Sequence, residues 1–147
     1  MTLTKAIATP PDQETQKVNL SAEEISAVQG AQAAALPKML HAHNEFVREQ
    51  RIEQGQVTFD GITVKTDSRT IEWFNGLYTD AKLDSDFAFS GFNAVSGTTN
   101  LTAAQIIGLR NAGAVLIATQ FALYNSVKSD INNGDIEYIS QIESVYE

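Results

Sequence analysis

Between Thr102 and Gly134 the chain reads as one helix whose middle cannot face water, and that demand shapes everything else it can fold into. Ile106, Leu109, Leu116, Ile117, Phe121, Tyr124, Val127 and Ile131 recur at helical spacing, and 3.6 residues per turn gives about eight or nine turns. The segment Ala112–Ala118, AGAVLIA, is apolar nearly all the way round. Such a helix has to be covered on every side, by other elements of the chain or by another protein. Asn133-Gly134 supplies its stop, because glycine adopts the left-handed conformation that closes a helix.

The start of this helix, Asn100-Leu101-Thr102-Ala103-Ala104-Gln105-Ile106, is matched by Asn19-Leu20-Ser21-Ala22-Glu23-Glu24-Ile25. Both have a hydroxyl cap, an acid or amide three residues on, and apolar residues placed to close a staple. Good caps converge on the same residues, so the match marks two helix starts rather than a duplication. The earlier helix is predicted to run through Val28, Met39, Leu40, Phe46 and Val47 and to end at Gly55 in the C′ position. Pro37 deletes a backbone donor inside it, which predicts a kink or two helices meeting near Leu36.

Gln56 to Thr66 carries two alternating β-branched runs around Asp60-Gly61, the preferred pair for a two-residue hairpin turn. Val57 and Phe59 share one face, as do Ile62 and Val64, so the hairpin needs a helix over it. Asp67 or Ser68 caps a helix with Ile71, Phe74, Leu77, Tyr78 and Ala81 on one side, which is the predicted cover. From Asp86 to Leu101, aromatic and small residues alternate around Gly91 and Gly97, predicting a second, less regular hairpin. The tail, residues 135–147, spaces Ile136, Ile139, Ile142 and Val145 by threes, as a short amphipathic helix.

These elements predict an α+β fold with two antiparallel β-hairpins packed with three to four helices and a long C-terminal helix. The organisation is an extended polar arm over 1–17, a Pro-kinked helical segment over 18–55, an α+β domain over 56–134, and the short helix over 135–147. The arm, with Pro10-Pro11 and no apolar period, does not fold alone.

Chemistry finds little to stand on. Eighteen acids against ten bases give a net charge of −8, which repels nucleic acid and anionic membrane. No apolar run at the N-terminus suggests a signal peptide, and Ala112–Ala118 alone is far short of a membrane span. The absence of cysteine removes thiol chemistry and disulfides. His41 and His43, the two histidines, point about 200 degrees apart on a helix and so away from a shared metal. Around Asp130-Ile131-Asn132-Asn133-Gly134 the glycine falls one place too early for a calcium loop. Asp80, Asp84 and Asp86 read as solvated loop charge, and Lys65, Arg48, Arg51 and Arg69 as solvated charges or local pairs with Glu45, Glu49 and Glu53. No nucleophile, phosphate-loop or metalloprotease motif occurs, so neither an enzyme nor a cofactor is expected.

What remains is surface. Trp73 lies off the apolar face of its helix, beside Leu77; Leu116 and Ile117 lie in the all-apolar stretch, and Ile136, Ile139, Ile142 and Val145 on the tail. These eight are the candidate interface residues.

The series Arg48-Glu49-Gln50-Arg51-Ile52, Gly55, Phe59-Asp60-Gly61, Val64 and Thr66-Asp67-Ser68-Arg69-Thr70 resembles an uncharacterised domain family of bacteriophage and prophage tail-fibre and tail-assembly proteins. Phe92, Gly97, Leu101 to Gln105 and the alanine-rich helix extend the resemblance over about residues 46–134. The family often has tryptophan where Phe92 stands, whereas Trp73 lies in the preceding helix, so no residue role carries over. The resemblance implies a virion tail protein of fibre, baseplate or connector, docking with other tail proteins or with itself, present in host cytoplasm before assembly. The alternative is an assembly chaperone that does not stay in the particle; a third class, a glycan-cleaving or glycan-binding tail protein, needs an exposed aromatic platform beside acids.

Overall fold

The computed structural model describes residues 4–6 and 17–147. In chain order the elements are β1 (Thr4–Ala6), β2 (Lys17–Asn19), α1 (Ala22–Glu53), β3 (Gln56–Phe59), β4 (Ile62–Lys65), α2 (Ser68–Leu83), β5 (Ala88–Ala94), β6 (Gly97–Thr102), α3 (Ala103–Asn133) and α4 (Ile139–Tyr146). The fold is α+β, with antiparallel two-stranded sheets β3–β4 and β5–β6 and a long C-terminal helix. β1, in the predicted arm, pairs antiparallel with β2, which starts at the last residue of the arm and continues into the segment predicted as helical; residues 1–3 and 7–16 lie outside the described residues. The chain divides into two compact units, Met1–Met39 and Leu40–Glu147, so α1 contributes to both.

Local chemistry sets the element boundaries. Glu24 donates its backbone N–H to Ser21 Oγ at 3.2 Å, and Ser21 returns its own N–H to Glu24 Oε2 at 2.9 Å. Thr102 and Gln105 form the same reciprocal box at the start of α3, and Gly134 ends it at φ 81°. In the first hairpin Asp60 and Gly61 have φ of 50° and 74°, the paired positive angles of a type I′ turn. Across it Thr58 and Thr63 hydroxyls meet at 2.8 Å. The second hairpin slips register between Phe89 and Phe92, where Gly91 takes φ 75°.

Two positions of α1 carried sequence expectations, a kink or a division at Pro37 and a helix end at Gly55. The helix runs unbroken across Pro37 instead of dividing there. A proline costs an interior helix one hydrogen bond, so a continuous helix can still bend there. Gly55 does follow the helix, but not in the left-handed conformation. It is glycine because of crowding: a Cβ there would come within 2.5 Å of Thr66 Oγ1 and 2.7 Å of the Arg51 carbonyl.

Residues 40–147 hold two apolar clusters, both built on α3. Its first turns bury Ala103, Ile106 and Leu109 with Val64, Phe74, Ala81 and Leu101. Its last turns bury Val127 and Ile131 with Leu40, Ile136, Ile142 and Tyr146. The hairpin β3–β4 is therefore covered by α3 as well as by the predicted α2. Phe59 lies so close over Gly108 that any Cβ there would overlap its ring. By length and composition α3 is apolar enough to cross a membrane, which counting Ala112–Ala118 alone misses. Both of its ends are nonetheless committed to the chain's own clusters.

Asp67, not Ser68, is the N-cap of α2, accepting from the Thr70 N–H at 2.9 Å. That bond holds its carboxyl below the usual value of 3.8 despite some opposing burial. The depressed native value means that the cap contributes stability above pH 3.8, lost as pH falls through the native pKa. Asp67→Ala should cost about 1 kcal/mol at neutral pH, and urea titrations should show the gap to wild type closing under acid.

Candidate functional site

Between the two clusters, the middle of α3 is left partly bare. Val115 is 66% exposed, Ala114 and Ala118 are exposed, and Leu116 and Ile117 are half-buried. Full burial of a valine-sized side chain is worth about 1.5–3 kcal/mol, so the exposure leaves that stabilisation unclaimed.

A hollow flanks this stretch on each side. One, of about 300 Å³, is floored by Val57, Val64, Phe74, Leu109, Gly113 and Ile117, with Lys65, Asn75 and Arg110 also in its wall. Arg110 is held there by a bond from Nε to Asn75 Oδ1 at 3.2 Å and by stacking over Tyr78. The other, of about 450 Å³, runs between α1 and α3 and is lined by Phe46, Val47, Gln50, Arg51, Gln54, Gly55, Leu116 and Gln120. Phe46 at its edge is 55% exposed, and Phe121 further along α3 is also exposed. Both phenylalanines sit at sequence positions that belong to apolar stripes, where burial is the natural expectation.

Gly113 shows how open the first hollow is, since a Cβ added there meets nothing within 4 Å. Gly113→Ala should therefore gain about 1 kcal/mol from helix propensity. A melting temperature a few degrees above wild type would register it.

Of the eight predicted interface residues, Leu116 and Ile117 do lie at these hollows. Ile139 and Val145 are exposed on α4. Of the other four, two are buried and two half-buried. Ile136 and Ile142 are buried in the second cluster, because α4 turns its Ile142–Tyr146 side inward against α1 and α3. Leu77 packs against the first cluster. Trp73 stacks on Phe92 with centroids 4.8 Å apart and meets Phe89 edge-on at 4.7 Å, so the second hairpin is its partner.

The polar residues serve the packing. His41 Nε2 lies 3.1 Å from Asn132 Oδ1, whereas His43 Nε2 lies 3.4 Å from Glu143 Oε1 without a hydrogen bond between them. The two rings thus address different helices, and among the described residues no cluster of ligands for a metal occurs. Arg48 pairs with Glu45 and Glu49 as expected, but its guanidinium also lies between the Phe121 and Tyr124 rings, 4.7 Å from each. Glu53 turns instead to the start of α2, accepting from Ser68 N–H and Oγ at 3.1 and 2.9 Å.

One arrangement had no signal in the sequence. Asn44 is fully buried, donating from Nδ2 to the Tyr124 carbonyl at 3.0 Å and accepting at Oδ1 from the Tyr146 hydroxyl at 2.7 Å. It ties α1, α3 and α4 together beside the second cluster.

No family model, no curated protein and no solved structure matches the chain.

Proposed function

We propose that this chain is a non-enzymatic structural protein of a bacteriophage tail, acting by docking its α3 surface against other tail proteins. The observation that carries the docking half is the bare middle of α3: Val115, Leu116 and Ile117 beside two hollows, at the point where the chain's own clusters stop. An apolar partner surface supplies the cover that the all-round apolar helix lacks. The tail assignment rests on the resemblance of residues 46–134 to tail-fibre and tail-assembly proteins.

Mass spectrometry of purified particles tests it. Stoichiometric recovery in the tail is the expected result. Recovery from the lysate with absence from particles would move the reading to an assembly chaperone, and absence from both would end it.

A further inference from the structure

A second uncovered surface is the first part of α1. From Ile25 to Asn44 the sequence carries one charged side chain, Lys38. Yet Val28, Gln32, Ala35, Leu36 and Met39 are all exposed, Met39 at 59%, and Ile25 is only half-buried. A helix standing in water keeps charge around it; one this neutral is built to be covered.

Its pattern says by what. Ile25, Val28, Gln32, Ala35 and Met39 follow one another at steps of three, four, three and four residues. That is the seam spacing of helices that wind around one another. The two residues that disfavour helix, Gly30 and Pro37, stand seven apart at the positions furthest from this seam, where they disturb no contact. Gln32 at the seam is a polar group that finds its match most simply in the same amide of an identical helix, which also fixes the register. The positions flanking the seam, Gln29, Ala31, Leu36 and Lys38, lack the paired opposite charges that select an unlike partner. A chain of net charge −8 repels its own copies over most of its surface, but not along this stretch.

We propose that Ile25–Met39 of α1 packs in parallel and in register against the same residues of a second copy of this chain. The inference shares with the docking reading only the premise that an exposed apolar helix is an interface.

The chain has no cysteine, so single cysteines report geometry cleanly. Under mild oxidation Gln32→Cys, on the seam, should form a disulfide-linked dimer, while Ala33→Cys, one residue off it, should form little. Sedimentation of the wild type should show assembly that rises with concentration. Val28→Glu with Met39→Glu, both on exposed positions outside the clusters, should sediment as a monomer. A wild type that stays monomeric at every concentration, equal crosslinking by both cysteines, or a double variant that assembles like wild type would each overturn the proposal. A monomer found at full stoichiometry in particles would remove this inference and leave the tail assignment standing.

Discussion

Asn44→Leu should destabilise the protein by about 2–4 kcal/mol, measured by urea unfolding at neutral pH. Leucine has the same branching and the same number of side-chain heavy atoms, so the lost hydrogen bonds add to whatever its bulkier methyl groups cost. The Tyr146 hydroxyl loses its acceptor and the Tyr124 carbonyl loses a donor, in a place water does not reach. Tyr146→Phe removes one of the same two bonds, so the double variant should cost less than the sum of the singles. Additive losses would mean that the two groups do not share a network.

The network also has an alkaline signature. Burial holds the Tyr146 hydroxyl above its ordinary value of 10.0, against the opposing pull of Arg48. With the native value raised, the contribution is complete below pH 10.0 and is lost as pH rises through the native pKa, because the unfolded chain ionises first. Tyr146→Phe should therefore show a shallower loss of stability than wild type in that alkaline range. Equal slopes would place the hydroxyl in water.

Asn44 shows where sequence reading stops. It lies in His41-Ala42-His43-Asn44-Glu45, a polar run that looks solvated from every side. Its burial depends on α4 folding back so that Tyr146 reaches it across 102 residues of chain, and no local pattern encodes that. What local chemistry alone decides was legible: the Ser21 and Thr102 capping boxes, the Asp60-Gly61 turn, the Gly134 stop. Periodicity likewise identifies which residues share a helix face, but not what covers the face. Phe46 and Phe121 fall on apolar stripes and are exposed; Ile142 falls on a stripe that looked unpartnered and is fully buried. Trp73, set off its helix's main face, found a second hairpin there. Of the middle of α3, the all-round apolar character of 112–118 was readable, while the two hollows beside it depend on how hairpin and helices assemble.

Gly55→Ala should cost about 2–4 kcal/mol, the opposite sign to Gly113→Ala, although both add one methyl group. At Gly113 the methyl enters empty space; at Gly55 it meets the Arg51 carbonyl and the Thr66 hydroxyl at once. Neither neighbour yields cheaply. The carbonyl belongs to the last turn of α1, and the hydroxyl donates to the Ile52 carbonyl at 2.6 Å while Thr66 N–H donates to Gly55 O at 2.9 Å. These bonds satisfy the carbonyl end of α1 and hold β4 beside it, so the methyl has to break one of them or bend the backbone. Removing the hydroxyl separates the causes. Thr66→Ala alone should cost about 1 kcal/mol for its lost bond, and in its background Gly55→Ala should cost less but not nothing, since the Arg51 carbonyl still blocks the methyl. Wild-type stability in Gly55→Ala would show that the end of α1 and the hairpin do not approach as closely as this packing requires.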